Sequence, residues 1–361
     1  IASCLVGSEM CIRDRILNVV SYLAIILLVT WEQNYLLALG IGTVTEVVLN
    51  IWISWYVEQK YPFLRQRRKE KSTSSLTKRI VRDLKSLFIS RISEKMLYCT
   101  DNLIISGFIG VGTVGRYANY CMITQAISNI LTILANTIQP TVGDYFTEKN
   151  RQRNYEILRQ LTFGFFCIAS VVSVGLFSLI TPFVRDIWLG PSYELGWGIT
   201  VFCIVVLLVR IMGLPLSLVM GVTGLFEKEK NVGASSALLN LIVSLALVKP
   251  YGMAGVLLGT LLSYLLQILY RYIIYFRDFL EMPGEALRYA QDIGEYLAVI
   301  AGEVLLMQKI VPLIYGAGGM LLFCVCFLLC IAIPLLLDLV IFGRGWRLQS
   351  IVTMVKGMRK A

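Results

Sequence analysis

The chain has 361 residues, of which 57% are hydrophobic and 16% charged, with a net charge of +10 and no histidine. Soluble domains carry about 25% charged residues, so this composition excludes an ordinary globular enzyme and places most of the chain in lipid. The positive balance does not mark a nucleic-acid binder, because the basic residues sit in short connections between apolar runs, where the positive-inside rule puts them.

The first fifteen residues, IASCLVGSEMCIRDR, lack the basic start, apolar middle and small-residue cleavage site of a signal peptide. Ten apolar runs follow, at 16–31, 36–57, 83–108, 116–141, 159–182, 197–221, 232–248, 253–275, 292–311 and 317–342. Most reach the ~20 residues that cross a bilayer core. Their apolarity is continuous rather than alternating, which predicts helices and not a barrel. The expected fold is an all-α polytopic membrane protein of about ten transmembrane helices.

Assigning the connections to alternate sides puts well over twenty Lys and Arg on one side and about four on the other. The basic side is the cytoplasmic one, and the carboxyl terminus lies with it. The connection 58–82 is basic and Ser/Thr-rich, with Leu76, Ile80, Leu84 and Leu87 at helical spacing. It reads as an amphipathic helix on the inner leaflet, or as a docking segment for a partner enzyme.

Ionisable residues inside spans are expensive and usually functional. In LFISRISEKMLYCTDNLIISGFIG, Arg91, Glu94 and Lys95 fall within one turn, and Tyr98 and Asp101 continue that face. An internal ion pair is one reading. A hydrated cavity that receives an anion is the other, and it accounts for the surplus cation. The next span carries a stripe of Gln125, Asn129, Thr132, Asn136 and Gln139, suited either to helix–helix hydrogen bonds or to lining a lumen. Pro140 is expected to kink its end.

Arg210 stands alone in the middle of IVVLLVRIMGLPLSLVMGVTG, where Pro215 is expected to interrupt the helix. Its candidate partners are Glu94, Asp101 or a bound phosphate, which a guanidinium binds bidentately. Gly233, Ser236, Asn240 and Ser244 share one face, and Gly252, Gly255, Gly259, Ser263 and Gln267 another; small residues at this spacing let helices approach closely. Glu46 (with Asn50), Glu303 and Asp338 are single acids in spans, each a possible proton or sodium site without a partner visible in the sequence. Cys324, Cys326 and Cys330 read as buried apolar thiols rather than metal ligands. No catalytic residue, metal or cofactor is expected.

The stretches EQKYPFL, SEKMLYCTDNLIISGFIGVGTVGRYANY, GLPLSLVMGVTG and GASSALLNLIVSLALVKPYGMAGVLLGT together resemble the polysaccharide transporter branch of the multidrug/oligosaccharidyl-lipid/polysaccharide exporter superfamily, the Wzx-type oligosaccharide flippases. The resemblance covers roughly residues 16–280. It implies two six-helix lobes around a cationic cavity, as in related multidrug exporters. On that plan 16–57 are the last two helices of the first lobe, 58–82 the linker and 83–276 the complete second lobe. A connection at 277–291, two extra helices at 292–342 and a basic tail at 343–361 complete it. SEMCIRDR looks like translated sequencing-adapter read-through, so 1–15 are expected to be non-native and the chain truncated at its amino end.

The resemblance further implies flipping of an undecaprenyl-pyrophosphate-linked oligosaccharide across the bacterial cytoplasmic membrane by alternating access. Arg91, Lys95 and Arg210 would hold the pyrophosphate. Glu94, Tyr98, Asp101, Gln125, Asn129, Asn136 and Asn240 would line the cavity, with Glu46 or Asp101 as the ion-coupling group. Expected partners are the lipid-linked oligosaccharide, membrane lipids, and polysaccharide polymerase and chain-length machinery, with no nucleic acid. A multidrug exporter would prefer acids in its cavity. A peptidoglycan-precursor flippase is separated only poorly from other carriers of lipid-linked sugars. A membrane-embedded polymerase or ligase needs a large outward loop, and the longest here, TPFVRDIWLGPSYELGWG, has no histidine or paired carboxylates.

Overall fold

A computed structural model describes residues 35–60, 99–146, 150–223, 225–316 and 318–343, with isolated positions among 22–30 and at 81 and 88. The described elements are helices, with no strand among them. The chain divides into two compact units, Ile1–Leu76 and Thr77–Ala361. In the first, α1 (Tyr35–Lys60) is apolar almost throughout its 26 residues. A Cβ at Gly42 would meet Ile25 Cδ1 at 3.2 Å, so the preceding helical stretch leans on α1 where α1 has no side chain.

The second unit contains α2 (99–108), α3 (Val111–Tyr145), α4 (Arg151–Pro182), α5 (Trp197–Val222), α6 (Phe226–Ile273), α7 (Pro283–Tyr315) and α8 (Met320–Phe342). Gly110, at φ 127°, makes the turn between α2 and α3. Among the described residues of this unit, six helical stretches are long and apolar enough to cross a membrane, Val232–Leu280 among them. That stretch bends back on itself where Gly252 follows Pro250 by two residues and takes φ 58° and ψ −135°, a conformation open to glycine. Its two arms correspond to the spans expected at 232–248 and 253–275. The protein is an all-α polytopic membrane protein.

Two helices organise the unit. α5 packs against α3, α4 and α6, and α4 packs in turn against α7 and α8. α5 is apolar on nearly every side, as a helix with buried neighbours around it must be, and Ile204, Leu207, Ile211, Leu216 and Val219 are almost fully buried. The interruption expected at Pro215 is not present: α5 runs unbroken from Trp197 to Val222. Proline removes one backbone donor, and the packing on several sides holds the remaining turns. α3 likewise continues through Pro140 to Tyr145.

Helix also extends into stretches that read as connections. α4 starts at Arg151, capped by Asn150, whose side chain accepts from the Arg153 amide at 3.0 Å. A π-turn at Ile274–Leu280 leads to α7, which begins at Pro283. Between α4 and α7 the Arg159 Nε and Nη2 donate to Asp292 at 2.6 and 3.0 Å. One layer deeper, Phe163, Phe166, Tyr296 and Phe342 form an aromatic cluster, with Phe166 and Tyr296 stacked at 4.4 Å.

The arms of α6 meet along small residues. A Cβ at Gly255 would collide with the Leu247 carbonyl, and one at Gly259 with Ser244 Oγ. Replacing Gly259 by Val should force the arms apart at a cost of about 1–3 kcal/mol. The midpoint of thermal unfolding in detergent should drop by several degrees, whereas Gly198→Ala, with nothing within 4 Å of the added carbon, should leave it unchanged.

Candidate functional site

Asp101 enters the unit from α2 and is only 4% exposed. A buried carboxylate needs donors, and both arms of α6 supply them. Thr260 Oγ1, on the second arm, donates to Asp101 Oδ2 at 2.6 Å. Asn240, on the first arm, donates through Nδ2 to Thr260 Oγ1 at 2.8 Å, and more weakly to Asp101 Oδ1 at 3.4 Å. The amide thus polarises the hydroxyl that holds the acid. Asn240 Oδ1 is buried without a hydrogen-bond partner among the described residues. One turn along, Ser244 Oγ donates to the Val256 carbonyl at 3.3 Å. Carboxylate, amide, hydroxyl and carbonyl oxygens therefore converge in the narrowest part of the α6 seam.

Arg210 sits midway along α5 and is half-buried. Its Cζ lies 5.3 Å from the centroid of the Tyr264 ring. Such a cation–π contact is worth about 0.5–2 kcal/mol according to its desolvation. Tyr264 follows Thr260 by one helical turn, so the partner of Arg210 and the partner of Asp101 share a face of the second α6 arm. The structure joins Asp101 to Asn240, and gives Arg210 an aromatic ring as the partner it shows.

The polar stripe of α3 has another fate. The buried face of that helix carries Tyr117, Tyr120, Ser128, Leu131, Ala135 and Val142. Asn129, Thr132 and Asn136 are exposed, and Gln125 is half-buried. Gln139 approaches α5: a Cβ at Gly221 would lie 2.6 Å from its Nε2. Thr132 returns its hydroxyl to the Ser128 carbonyl at 2.8 Å. The amide edge thus faces away from the packed interior of its unit.

Arg91, Glu94, Lys95 and Tyr98 lie outside the described residues, as do most of the 58–82 connection, residues 1–15 and the tail from 344. Glu46 belongs to α1, but its side chain is not among those described. Among the described residues, no group of three or more His, Cys, Asp and Glu could hold a metal ion; Cys326 and Cys330 are buried free thiols, whereas Cys324, expected to be buried with them, is exposed on the outer face of α8. Thr260 and Tyr264 were not singled out by the sequence. Both carry no charge, and the only signal for Thr260 was its place beside Gly259 in the small-residue face.

Thr260→Val should leave Asp101 Oδ2 without its donor and lower stability by about 1–3 kcal/mol. Thr260→Ser, which keeps the hydroxyl, should stay within about 1 kcal/mol of the parent in the same thermal-unfolding measurement.

The profile of a family described as "Polysaccharide biosynthesis protein" matches residues 9–146, less than half of the chain. Over α1, α2 and α3 the chain is therefore similar to that family, and the match ends before Arg210 and Asn240. No curated protein matches the chain.

Proposed function

We propose that this protein is a Wzx-type flippase, which moves a polyprenyl-pyrophosphate-linked oligosaccharide from the inner to the outer leaflet of a bacterial cytoplasmic membrane by alternating access. The observation that carries the reading is Arg210: a guanidinium midway along a transmembrane helix, half-buried and oriented by the Tyr264 ring. A fixed cation at that depth suits a doubly charged head group that cannot cross ~30 Å of hydrocarbon unaided. The similarity of residues 9–146 to polysaccharide biosynthesis proteins points to the same substrate class. The exposed amides of Asn129 and Asn136 offer donors and acceptors for sugar hydroxyls, and Arg91 and Lys95 would add to the anion site.

In this reading Asp101 is the ion-coupling group. The Thr260 hydroxyl and the Asn240 amide hold its carboxylate, and the Asn240 Oδ1 has no partner among the described residues, a set of oxygens that suits a proton or a sodium ion rather than an anion. Movement of negative charge outward is itself favoured by ~2.3 kcal/mol per charge for each 100 mV, inside negative. The carboxyl terminus lies in the cytoplasm, and polymerase and chain-length machinery receive the flipped substrate.

The test is surface polysaccharide in cells that depend on this chain for export. Arg210→Ala should abolish export at near-normal protein level, and Arg210→Lys should retain part of it. Unimpaired export in Arg210→Ala removes the residue from the mechanism. Asp101→Asn should leave binding of a pyrophosphate-linked sugar intact while making transport in proteoliposomes indifferent to proton and sodium gradients.

A further inference from the structure

The sequence shows Glu303 and Asp338 as two isolated acids, 35 positions apart, on different helices. The fold brings them together against α4. Ser170 Oγ donates to Glu303 Oε2 at 2.5 Å. Asp338, on α8, and Cys167, on α4, both lie within electrostatic range of Glu303. Glu303 is 3% and Asp338 4% exposed. Glu303 Oε1 and both oxygens of Asp338 are buried without a hydrogen-bond partner among the described residues. None of the ion pairs among the described residues involves either acid; Arg159, about three turns away along α4, engages Asp292.

The layer is closed at both ends. Phe166 and Phe342, one turn from Ser170 and Asp338, belong to the aromatic cluster on one side. Val174, Met307 and Pro334, one turn the other way, are buried on the opposite side. Three orphaned acceptor oxygens and a single hydroxyl donor are thus sealed between apolar layers in the membrane. Two carboxylates cannot both stay charged there, since each lacks solvent and repels the other. A bound proton resolves the mismatch economically: it removes one charge and turns one of the unmet acceptors into a donor. A sodium ion fits less well, because hard cations take about six or more oxygen ligands and the layer holds few.

We propose that Glu303 and Asp338, seated on Ser170, form a proton-binding site between α4, α7 and α8, and that its occupancy sets how tightly the last two helices hold to α4. This site is separate from Asp101 and independent of the flippase reading. The folded state holds a proton that the unfolded chain has released at neutral pH, so folding takes up a proton. Stability contributed by the site is then present in acid and lost as pH rises.

The experiment is thermal unfolding of the full chain in detergent between about pH 5 and about pH 8, on an Asp101→Asn background that silences the buried acid of the α6 seam. The midpoint should fall by about 3 °C or more across this range. Adding Glu303→Gln and Asp338→Asn should flatten the response, because the amides supply the donor at every pH. An unchanged pH response in that variant overturns the proposal, as does sodium restoring full stability at high pH. Infrared difference spectroscopy on the Asp101→Asn protein gives a reading that needs no further variant. The carbonyl stretch of a protonated carboxyl should be present at neutral pH, and its absence overturns the site.

Discussion

A carboxylate placed at membrane depth dictates what must surround it, and Asp101 does so here. Lipid offers no donors, so the protein must bring them. They come from two arms of one helix that folds back at Gly252, with Asn240 on one arm and Thr260 on the other. Those donors reach one acid only if the arms lie closer together than side chains normally allow. The absence of side chains at Gly255 and Gly259, facing Leu247 and Ser244, makes that possible. Each hydrogen bond is worth only about 1 kcal/mol net, but a missing donor leaves the full desolvation penalty in place. Glycine spacing, the Gly252 turn and the polar triad are consequences of one constraint.

The same arm that holds Asp101 also holds Arg210. Thr260 and Tyr264 share a face one turn apart, so the acid on α2 and the cation on α5 are both referenced to the second arm of α6. α5 in turn is the helix that α3, α4 and α6 pack against. A displacement of that arm therefore acts on the charge environment of both groups at once. This is the mechanical requirement for linking occupancy at one of them to the conformation around the other.

The spans were legible because continuous apolarity over twenty or so residues has few other meanings in a chain this poor in charge. Their ends were not. The stretch 151–158 and the start of α7 are polar, and nothing in hydropathy tells a helix that projects past the lipid from a loop. Pro215 was read by local propensity, which packing on several sides overrode. Asp101 and Arg210 were visible because a charge in a span stands out; Thr260, Tyr264 and Ser170 were not, because hydroxyls and rings do not. Glu303 and Asp338 looked solitary since their common burial is a tertiary fact, and Arg159 with Asp292 sat in segments read as span edges. Arg91, Glu94, Lys95 and Tyr98 fall outside the described residues.

Two helices with similar polar stripes end differently, and the difference lies in what faces them. On α6, Ser236, Asn240 and Ser244 meet Gln267, Thr260 and Gly259, small or polar residues at matching spacing on an antiparallel arm, and all three are buried. On α3, the face that packs carries Leu131, Ala135 and Val142, and the neighbouring α5 answers with apolar side chains. Asn129, Thr132 and Asn136 are turned away from that contact and remain exposed. A closed polar seam requires small residues on both sides; a stripe with them on one side only cannot be zipped shut within its own unit. Among the described residues, the amide edge of α3 at Asn129, Thr132 and Asn136 is therefore left exposed, whereas the equally polar edge of α6 is consumed by the fold.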